Sequence, residues 1–263
     1  MNSYAQTNIQ LFNQLRCTDY SNKELVYVRE AYELATRLFT GLYQPSRKAF
    51  IDHLVGTASI LASLHRPIEV VTAGLIHAAY LHGDFGSFRR SISDAKRKQV
   101  RQAVGEEVEE YIARYTTLLW NRQTISAVRD GLEALGPIDR DVLLMRLANE
   151  LELYLDLGAL HCCNAKSFQQ SIERYGPIMV DMADKLGFFA LATELTRVFR
   201  ETALDETPVE LRSRSNWTRA SLIAPKSYRK QLPLVVWHQL RRLSWVQIVL
   251  QRIMKVAGIR LNH

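Results

Sequence analysis

The spacing of apolar residues along the chain predicts helices almost throughout. Over residues 24–40, apolar side chains recur every three to four positions, the spacing that lines one face of a helix. Ser21 or Asn22 is suited to cap the start of this helix, and Gly41 is suited to end it in a left-handed conformation. This stretch therefore predicts an amphipathic helix with one buried face.

Further helices are predicted between connections that contain Gly and Pro. They span residues 48–64, 67–81, 91–103, 106–115, 126–134, 140–157, 165–175 and 178–200. The helix over 67–81 is apolar on nearly all sides, which is typical of a helix buried by several neighbours. The last helix is expected to break at Gly187. No strand-like alternation competes with this pattern, so the predicted fold class is all-α.

Composition narrows the class of protein further. Among 263 residues there are 12 Gly and 7 Pro, which leaves little turn chemistry for an all-β fold. Three cysteines do not make a disulfide framework, and Cys162-Cys163 has no second Cys or His pair with which to form a metal site. The first residues lack the order of a signal peptide, and no apolar run of about 18 residues is present. We therefore expect a cytoplasmic protein.

Charge is distributed unevenly along the chain. Residues 211–263 hold eleven Lys and Arg and no Asp or Glu, whereas residues 1–210 hold 23 basic and 27 acidic residues. This asymmetry predicts a helical domain over residues 1–205, followed by a basic linker and an amphipathic C-terminal helix over residues 206–263.

The basic C-terminal segment admits three interpretations. Its apolar stripe could dock on the helical domain. Alternatively, its cations and Trp237 and Trp245 suit an anionic membrane surface or a protein partner, which would make the protein peripheral at the membrane. Nucleic acid ranks last, because no recognised nucleic-acid fold accompanies the cations.

Two histidines, His53 and His77, lie on consecutive predicted helices 24 positions apart. Antiparallel packing of such helices would bring the two rings together in the core of a bundle. Neutral imidazoles on facing helices are a common start for a metal site.

The sequence around these histidines resembles the HD domain of the (p)ppGpp synthetase/hydrolases of the RelA/SpoT type. In that family a first His precedes V-A-x-I-L-A-x-L, and the next helix carries A-x-L-L-H-D. The matching stretches here are H-L-V-G-T-A-S-I-L-A-S-L from His53 and A-G-L-I-H-A from Ala73. Similar stretches follow at residues 105–112 and 139–157. The resemblance implies an HD-domain-like helical bundle with a basic C-terminal extension.

The departures from the family fall on its metal ligands. The family holds one divalent ion with a His, an H-D pair and a distal Asp. By this resemblance His53 and His77 remain, while Ala78 and Asn149 stand where the two carboxylates would be. The E-D pair that activates water in the hydrolases is replaced by Leu81 and His82.

Loss of both carboxylates changes the expected chemistry. Two anionic ligands help neutralise a hard dication and lower the pKa of its bound water. His53 and His77 with a neutral amide would give a softer site, suited at best to Zn, Mn or Fe. His82 or Asp84 could join it only if the chain bends at Gly83. We expect Glu150 and Glu152, the glutamates near Asn149, to point elsewhere. (p)ppGpp hydrolysis by the family mechanism is not expected, and no catalytic residue is assigned.

Three functional hypotheses follow from the sequence. In the first, the chain is a degenerate HD-domain protein, a pseudoenzyme that binds a small phosphorylated ligand or acts as a regulatory scaffold. The predicted ligand-binding residues are Arg47, Lys48, His53, His77, His82 and Asn149. In the second, His53 and His77 hold a metal for a phosphohydrolase or oxygenase. In the third, the basic segment anchors the protein to a membrane or partner. The oligomeric state does not follow from the sequence.

Overall fold

The computed structural model describes residues 4–18, 20–86, 91–121, 123–213 and 220–223. Its helices are α1 (Asn8–Arg16), α2 (Asn22–Phe39), α3 (Phe50–Ser63), α4 (Ile68–Ile76), α5 (Ala79–His82), α6 (Asp94–Val104), α7 (Glu106–Thr117), α8 (Ile125–Asp130), α9 (Pro137–Tyr154), α10 (Ala165–Lys185) and α11 (Phe189–Leu204). Short 3₁₀ segments are Leu132–Ala134, Leu155–His161 and Val209–Leu211, and the strands are β1 (Leu42–Tyr43) and β2 (Ser221–Leu222). The predicted all-α fold class is confirmed.

The start of α2 shows how the local sequence fixes a helix boundary. The Ser21 hydroxyl accepts from the backbone N–H of Glu24 at 3.4 Å, and the Glu24 carboxylate accepts from the N–H of Ser21 at 2.6 Å. This capping box satisfies two backbone donors that a helix start leaves without partners. Gly41, with φ +75°, follows the end of α2. The predicted first helix is confirmed with its cap.

The centre of the domain is built on α3 and α4. α3 packs against α1, α4 and α9, and α4 packs against α2 and α7. Both central helices are buried on nearly all sides. The apolar sequence of residues 67–81 predicts this for α4. The polar side chains of α3, α4, α7 and α9 that point inward therefore meet away from water.

The helix predicted over residues 67–81 is divided in two. α4 ends at Ile76, and α5 begins at Ala79. At the break, the ring Nδ1 of His77 hydrogen-bonds the carbonyl oxygen of Gly74 at 2.8 Å. In a continuous helix this carbonyl would accept from the backbone of Ala78, so the side chain of His77 competes with the helical hydrogen bond.

The boundary predicted at Gly176-Pro177 is wrong, because α10 continues through it. Pro177 removes one backbone donor, but α10 packs along the length of α11. A Cβ on Gly176 would lie 3.0 Å from Cδ2 of Phe199, so the glycine lets the two helices approach closely. Tertiary packing thus outweighs the local helix-breaking signal. The predicted break at Gly187, with φ +86°, is confirmed.

Backbone contacts divide the chain into two units, Met1–Ser221 and Leu222–His263. The predicted C-terminal amphipathic helix lies outside the described residues, and the predicted division between residues 205 and 206 stays a prediction. Among the residues that the structure describes, no helix is long and apolar enough to cross a membrane.

Candidate functional site

The two histidines lie together in the core, as their positions on consecutive helices predict. His53 is in α3 and His77 follows the last residue of α4, and each is 3% exposed. Their ring centroids are 5.4 Å apart at an interplanar angle of 79°, an edge-to-face arrangement. Asn149, on α9, completes the predicted trio, because its amide nitrogen lies 3.0 Å from Nε2 of His53.

A buried carboxylate holds the other nitrogen of His53. Nδ1 of His53 donates to Oε2 of Glu152, whose side chain is fully buried. Lys48 donates to Oε1 of the same carboxylate. A Cβ on Gly56 would lie 2.7 Å from Cγ of Glu152, so the absence of a side chain there gives the carboxylate room against α3. Glu152 therefore joins the predicted residues Lys48 and His53.

The amide of Asn149 continues the hydrogen-bond chain in the opposite direction. Tyr115, on α7, donates its hydroxyl to Oδ1 of Asn149 at 2.9 Å. Arg146 donates to the Tyr115 oxygen at 3.1 Å and also donates to the carboxylate of Glu150. The indole nitrogen of Trp120 donates to that carboxylate at 3.0 Å. One chain of hydrogen bonds thus runs from Lys48 to Trp120.

The two ends of this chain fix the direction of its central bonds. Because His53 donates from Nδ1 to Glu152, its Nε2 carries a lone pair and accepts from the Asn149 amide. Because Tyr115 accepts from Arg146, its own proton is available for the Asn149 oxygen. Burial raises the pKa of Tyr115, which keeps that proton on the hydroxyl. Rotating the Asn149 amide by half a turn would break both of its bonds.

His77 is held differently from His53. Its Nδ1 donates to the Gly74 carbonyl, and its ring centroid lies 4.8 Å from that of Tyr115. Burial, with a smaller contribution from the neighbouring His53, lowers the pKa of His77 well below its ordinary value. The site therefore contains a neutral imidazole at this position.

The remaining positions of the resembled motif add no carboxylate. Ala78 is 2% exposed and contributes only a methyl group. The His82 ring lies beside Phe50, with centroids 5.3 Å apart, and the centroid of His53 lies 5.5 Å from that of Phe50. Phe50 thus contacts both rings, and His82 is not part of the chain through Asn149.

The donor set does not fit the hard divalent ion that the family resemblance implies. Such an ion takes oxygen ligands, whereas this site offers two imidazoles and an amide whose N–H is directed at a histidine. Within the described ranges, no group of three His, Cys, Asp or Glu side chains is arranged to hold a metal. Metal binding by His53 and His77 to a softer ion stays a prediction.

A cleft opens beside Lys48, at one end of the hydrogen-bond chain, and we call it the Lys48 cleft. Its volume is about 360 Å³. Its polar lining consists of Gln6, Gln44, Ser46, Arg47, Lys48, Glu152, Asp156 and His161. The side chain of Lys48 is 28% exposed, and Arg47 is exposed with a φ of +75°. The two basic residues predicted to bind a ligand, Arg47 and Lys48, therefore border one cleft, and this cleft reaches the buried hydrogen-bond chain.

Several residues of the site were not predicted from the sequence. The expectation that Glu152 points away from His53 is wrong, since Glu152 contacts that ring, whereas Glu150 contacts Arg146 and Trp120 instead. A signal for Glu152 was present, because residues three apart on a helix share a face and Glu152 is three after Asn149. Tyr115 carried no such signal, since it reaches Asn149 from another helix.

Comparisons with known proteins give two similarities. A family model described as a domain of unknown function (DUF6817) matches residues 37–119, which include His53 and His77 but not Asn149. The chain is also similar to a solved metazoan ortholog of SpoT, whose description states that it hydrolyses ppGpp. That similarity has 18% identity and a TM-score of 0.47, and it covers 71% of this chain and 99% of the other. No curated protein matches the chain.

Proposed function

We propose that the protein is a non-hydrolytic, HD-like ligand-binding or regulatory protein whose interior polar cluster is structural. The observation that carries the proposal is the hydrogen-bond chain through His53, Asn149 and Tyr115. The imidazole of His53, the amide of Asn149 and the hydroxyl of Tyr115 all bond to protein partners, as buried polar groups require. In this arrangement the Asn149 amide directs a hydrogen, rather than a lone pair, at the place next to Nε2 of His53.

The proposed binding site is the Lys48 cleft, and the proposed ligand is small and phosphorylated. The Lys48 ammonium has three donors, of which Glu152 takes one. Arg47 borders the same cleft and adds a guanidinium group with further donors. A phosphate group suits such donors, because it offers several strong acceptor oxygens.

Two assays on the full chain test this proposal. With ppGpp and Mn²⁺, we expect no release of pyrophosphate above background, and calorimetry should detect saturable binding of ppGpp or GDP that survives EDTA. Robust phosphohydrolase activity that EDTA abolishes would overturn the non-hydrolytic proposal. Absence of nucleotide binding together with absence of hydrolysis would overturn the ligand and favour a purely scaffolding role.

A matched pair of variants assigns the binding to the cleft. Arg47→Asn removes the guanidinium and keeps a residue that tolerates a positive φ. His65→Asn is the control, since His65 is exposed, has a φ of +51° and does not line the cleft. We expect about tenfold weaker binding for Arg47→Asn, the equivalent of one lost charged hydrogen bond, and no change for His65→Asn. Equal binding by both variants would contradict the assignment.

A further inference from the structure

A second cleft lies at the opposite end of the hydrogen-bond chain, and we call it the Trp120 cleft. Its volume is about 240 Å³. The residues that decide its chemistry are Trp120, Arg146, Glu150, Tyr154, Ser171 and Tyr175. They come from α9, α10 and the segment after α7. Of the residues that line the Lys48 cleft, it shares only Leu153.

The walls of this cleft are aromatic. The Trp120 ring lies 5.3 Å from the guanidinium carbon of Arg146, in a cation–π contact. Phe168 also lines the cleft and packs edge-on against Tyr154, with ring centroids 6.2 Å apart. Aromatic walls of this kind favour a flat ligand that can stack on them.

A donor and an acceptor within the cleft lack protein partners. Nε of Arg146 is buried and has no hydrogen-bond partner. The bonds that Glu150 accepts, from Arg146 and Trp120, both fall on Oε1, so in the described part of the chain no donor reaches Oε2. Arg146 and Glu150 are one helical turn apart on α9 and form an ion pair, so this donor and this acceptor belong to neighbouring side chains.

Two tyrosine side chains of the lining add hydroxyl groups to this set. Tyr154 is 3% exposed and Tyr175 is 7% exposed, and both line the cleft. Burial raises the pKa of Tyr154, and the nearby Glu150 raises it further, so the hydroxyl stays protonated. Buried polar atoms without partners, such as Nε of Arg146, are rare in native proteins, and a ligand is one way of supplying the missing partner.

The net charge of the cleft selects against an ionic ligand. The guanidinium of Arg146 and the carboxylate of Glu150 neutralise each other through a direct ion pair. A phosphate or a carboxylate would have to be desolvated without a net opposite charge to receive it. The Trp120 cleft therefore favours a neutral ligand.

We propose that the Trp120 cleft binds a small, uncharged, planar ring compound that carries a hydrogen-bond acceptor beside a donor. Ring amides and amino-substituted heterocycles belong to this class. The acceptor of the ligand would take the N–H of Arg146, and its donor would give to Oε2 of Glu150. The ring would lie against Trp120. This inference does not rest on the function proposed for the Lys48 cleft.

Nicotinamide and nicotinate are suitable probes, because they share one ring and differ in having a neutral amide or a carboxylate. The readout is the indole N–H resonance of Trp120 in the ¹⁵N-labelled full chain, assigned by its loss in Trp120→Phe. We expect a saturable shift with nicotinamide at a Kd on the order of 1 mM or tighter, as befits so small a ligand. Nicotinate should bind about tenfold more weakly. Absence of a saturable shift with nicotinamide, or equal affinity for nicotinate, would overturn the proposal.

Two substitutions on α10 locate the binding. Ser171→Phe fills the cleft, and Gln170→Phe adds the same ring at an exposed neighbouring position that does not line it. We expect the nicotinamide-dependent shift to be lost in the first variant and retained in the second. Tyr154→Phe, which keeps the ring and removes the hydroxyl, should weaken binding severalfold and covers the case in which Ser171→Phe does not fold. Undiminished binding in Ser171→Phe or in Tyr154→Phe would contradict the assignment.

Discussion

The side-chain amide of Asn149 donates a hydrogen bond to Nε2 of His53 across 3.0 Å. The same amide accepts from Tyr115, so both of its polar atoms are engaged inside the domain. An aspartate at this position would present a second acceptor to a nitrogen that has only a lone pair. The atom of residue 149 that faces Nε2 of His53 thus decides what the two side chains can do. A nitrogen lets them hydrogen-bond each other, whereas an oxygen would leave two acceptors that a cation could bridge.

Restoring the two carboxylates should create a need for a cation. In Ala78→Asp/Asn149→Asp, acceptors would face the imidazoles, and a divalent ion would relieve their repulsion. Elemental analysis of protein purified without chelator should find well below one metal per wild-type chain and about one Mn or Zn per chain in the double variant. Added Mn²⁺ should raise the melting temperature of the double variant alone. Asn22→Asp, at an exposed helix start, is the control. One tightly bound metal per wild-type chain would instead revive the hypothesis of a metal-dependent enzyme.

Removing the Tyr115 hydroxyl should destabilise the domain. Tyr115→Phe leaves the Asn149 oxygen and one N–H of Arg146 without their common partner in the core. The expected loss is about 1–3 kcal/mol in the free energy of unfolding, measured by denaturant titration. Tyr27→Phe is the matched control, because Tyr27 is 50% exposed and should change stability by about 0.5 kcal/mol or less. Equal effects of the two variants would show that the hydroxyl contributes nothing to stability.

The parts of the fold that the sequence predicts depend on local signals. α2 is predicted with its cap because Ser21 and Glu24 are three residues apart and act on each other directly. The meeting of His53 and His77 is predicted because consecutive helices with apolar faces pack together. The continuity of α10 through Pro177 is not predicted, since it depends on packing against α11, which is distant in the sequence.

The same distinction explains what was missed in the site. Lys48 and Glu152 are 104 positions apart, and only the packing of α3 against α9 brings them together. Glu152 is not predicted from the sequence as a contact of His53, although its spacing of three residues from Asn149 places both on one helix face. Periodicity identifies which residues face inward. It does not identify which residue of another helix each of them meets.

The buried carboxylate of Glu109 gives a prediction that depends on pH. It accepts from Tyr80 at 2.7 Å, from Arg97 at 2.8 Å and from Arg101 at 2.9 Å. Burial by itself raises the pKa of Glu109, but the hydrogen bonds, that from Arg97 foremost, outweigh burial and the pKa is lowered. A free glutamate has a pKa of about 4.3, so the stabilisation is complete above that pH and is lost as the pH falls toward the lower folded value.

Glu109→Gln should therefore cost about 3 kcal/mol at pH 7, because it leaves the guanidinium of Arg97 without its buried partner. The difference from the wild type should shrink as the pH falls below about 4.3, because the unfolded wild-type chain then binds a proton that the folded chain accepts only at lower pH. Unfolding titrations at several pH values measure both effects. Glu110→Gln, at a carboxylate that is 41% exposed, should cost about 1 kcal/mol or less. A pH-independent difference for Glu109→Gln would contradict the assigned role of its charge.

The basic C-terminal segment supplies the last prediction, which rests on sequence because its predicted helix lies outside the described residues. Eleven cations without a single acid, together with Trp237 and Trp245, suit an anionic membrane surface. We expect the full chain to sediment with vesicles that contain phosphatidylserine at low salt and to be released as salt screens the attraction. A variant tests whether the cations of this segment carry the binding. It replaces four of them with Gln, namely Arg241, Arg242, Arg252 and Lys255. The control replaces four exposed cations of the helical domain, namely Lys23, Arg29, Lys98 and Lys166. Binding should fall about tenfold or more in the first variant and change little in the second, since each cation near the surface contributes about 1 kcal/mol. If the full chain does not bind such vesicles at low salt, the segment serves a protein partner or docks on the helical domain instead.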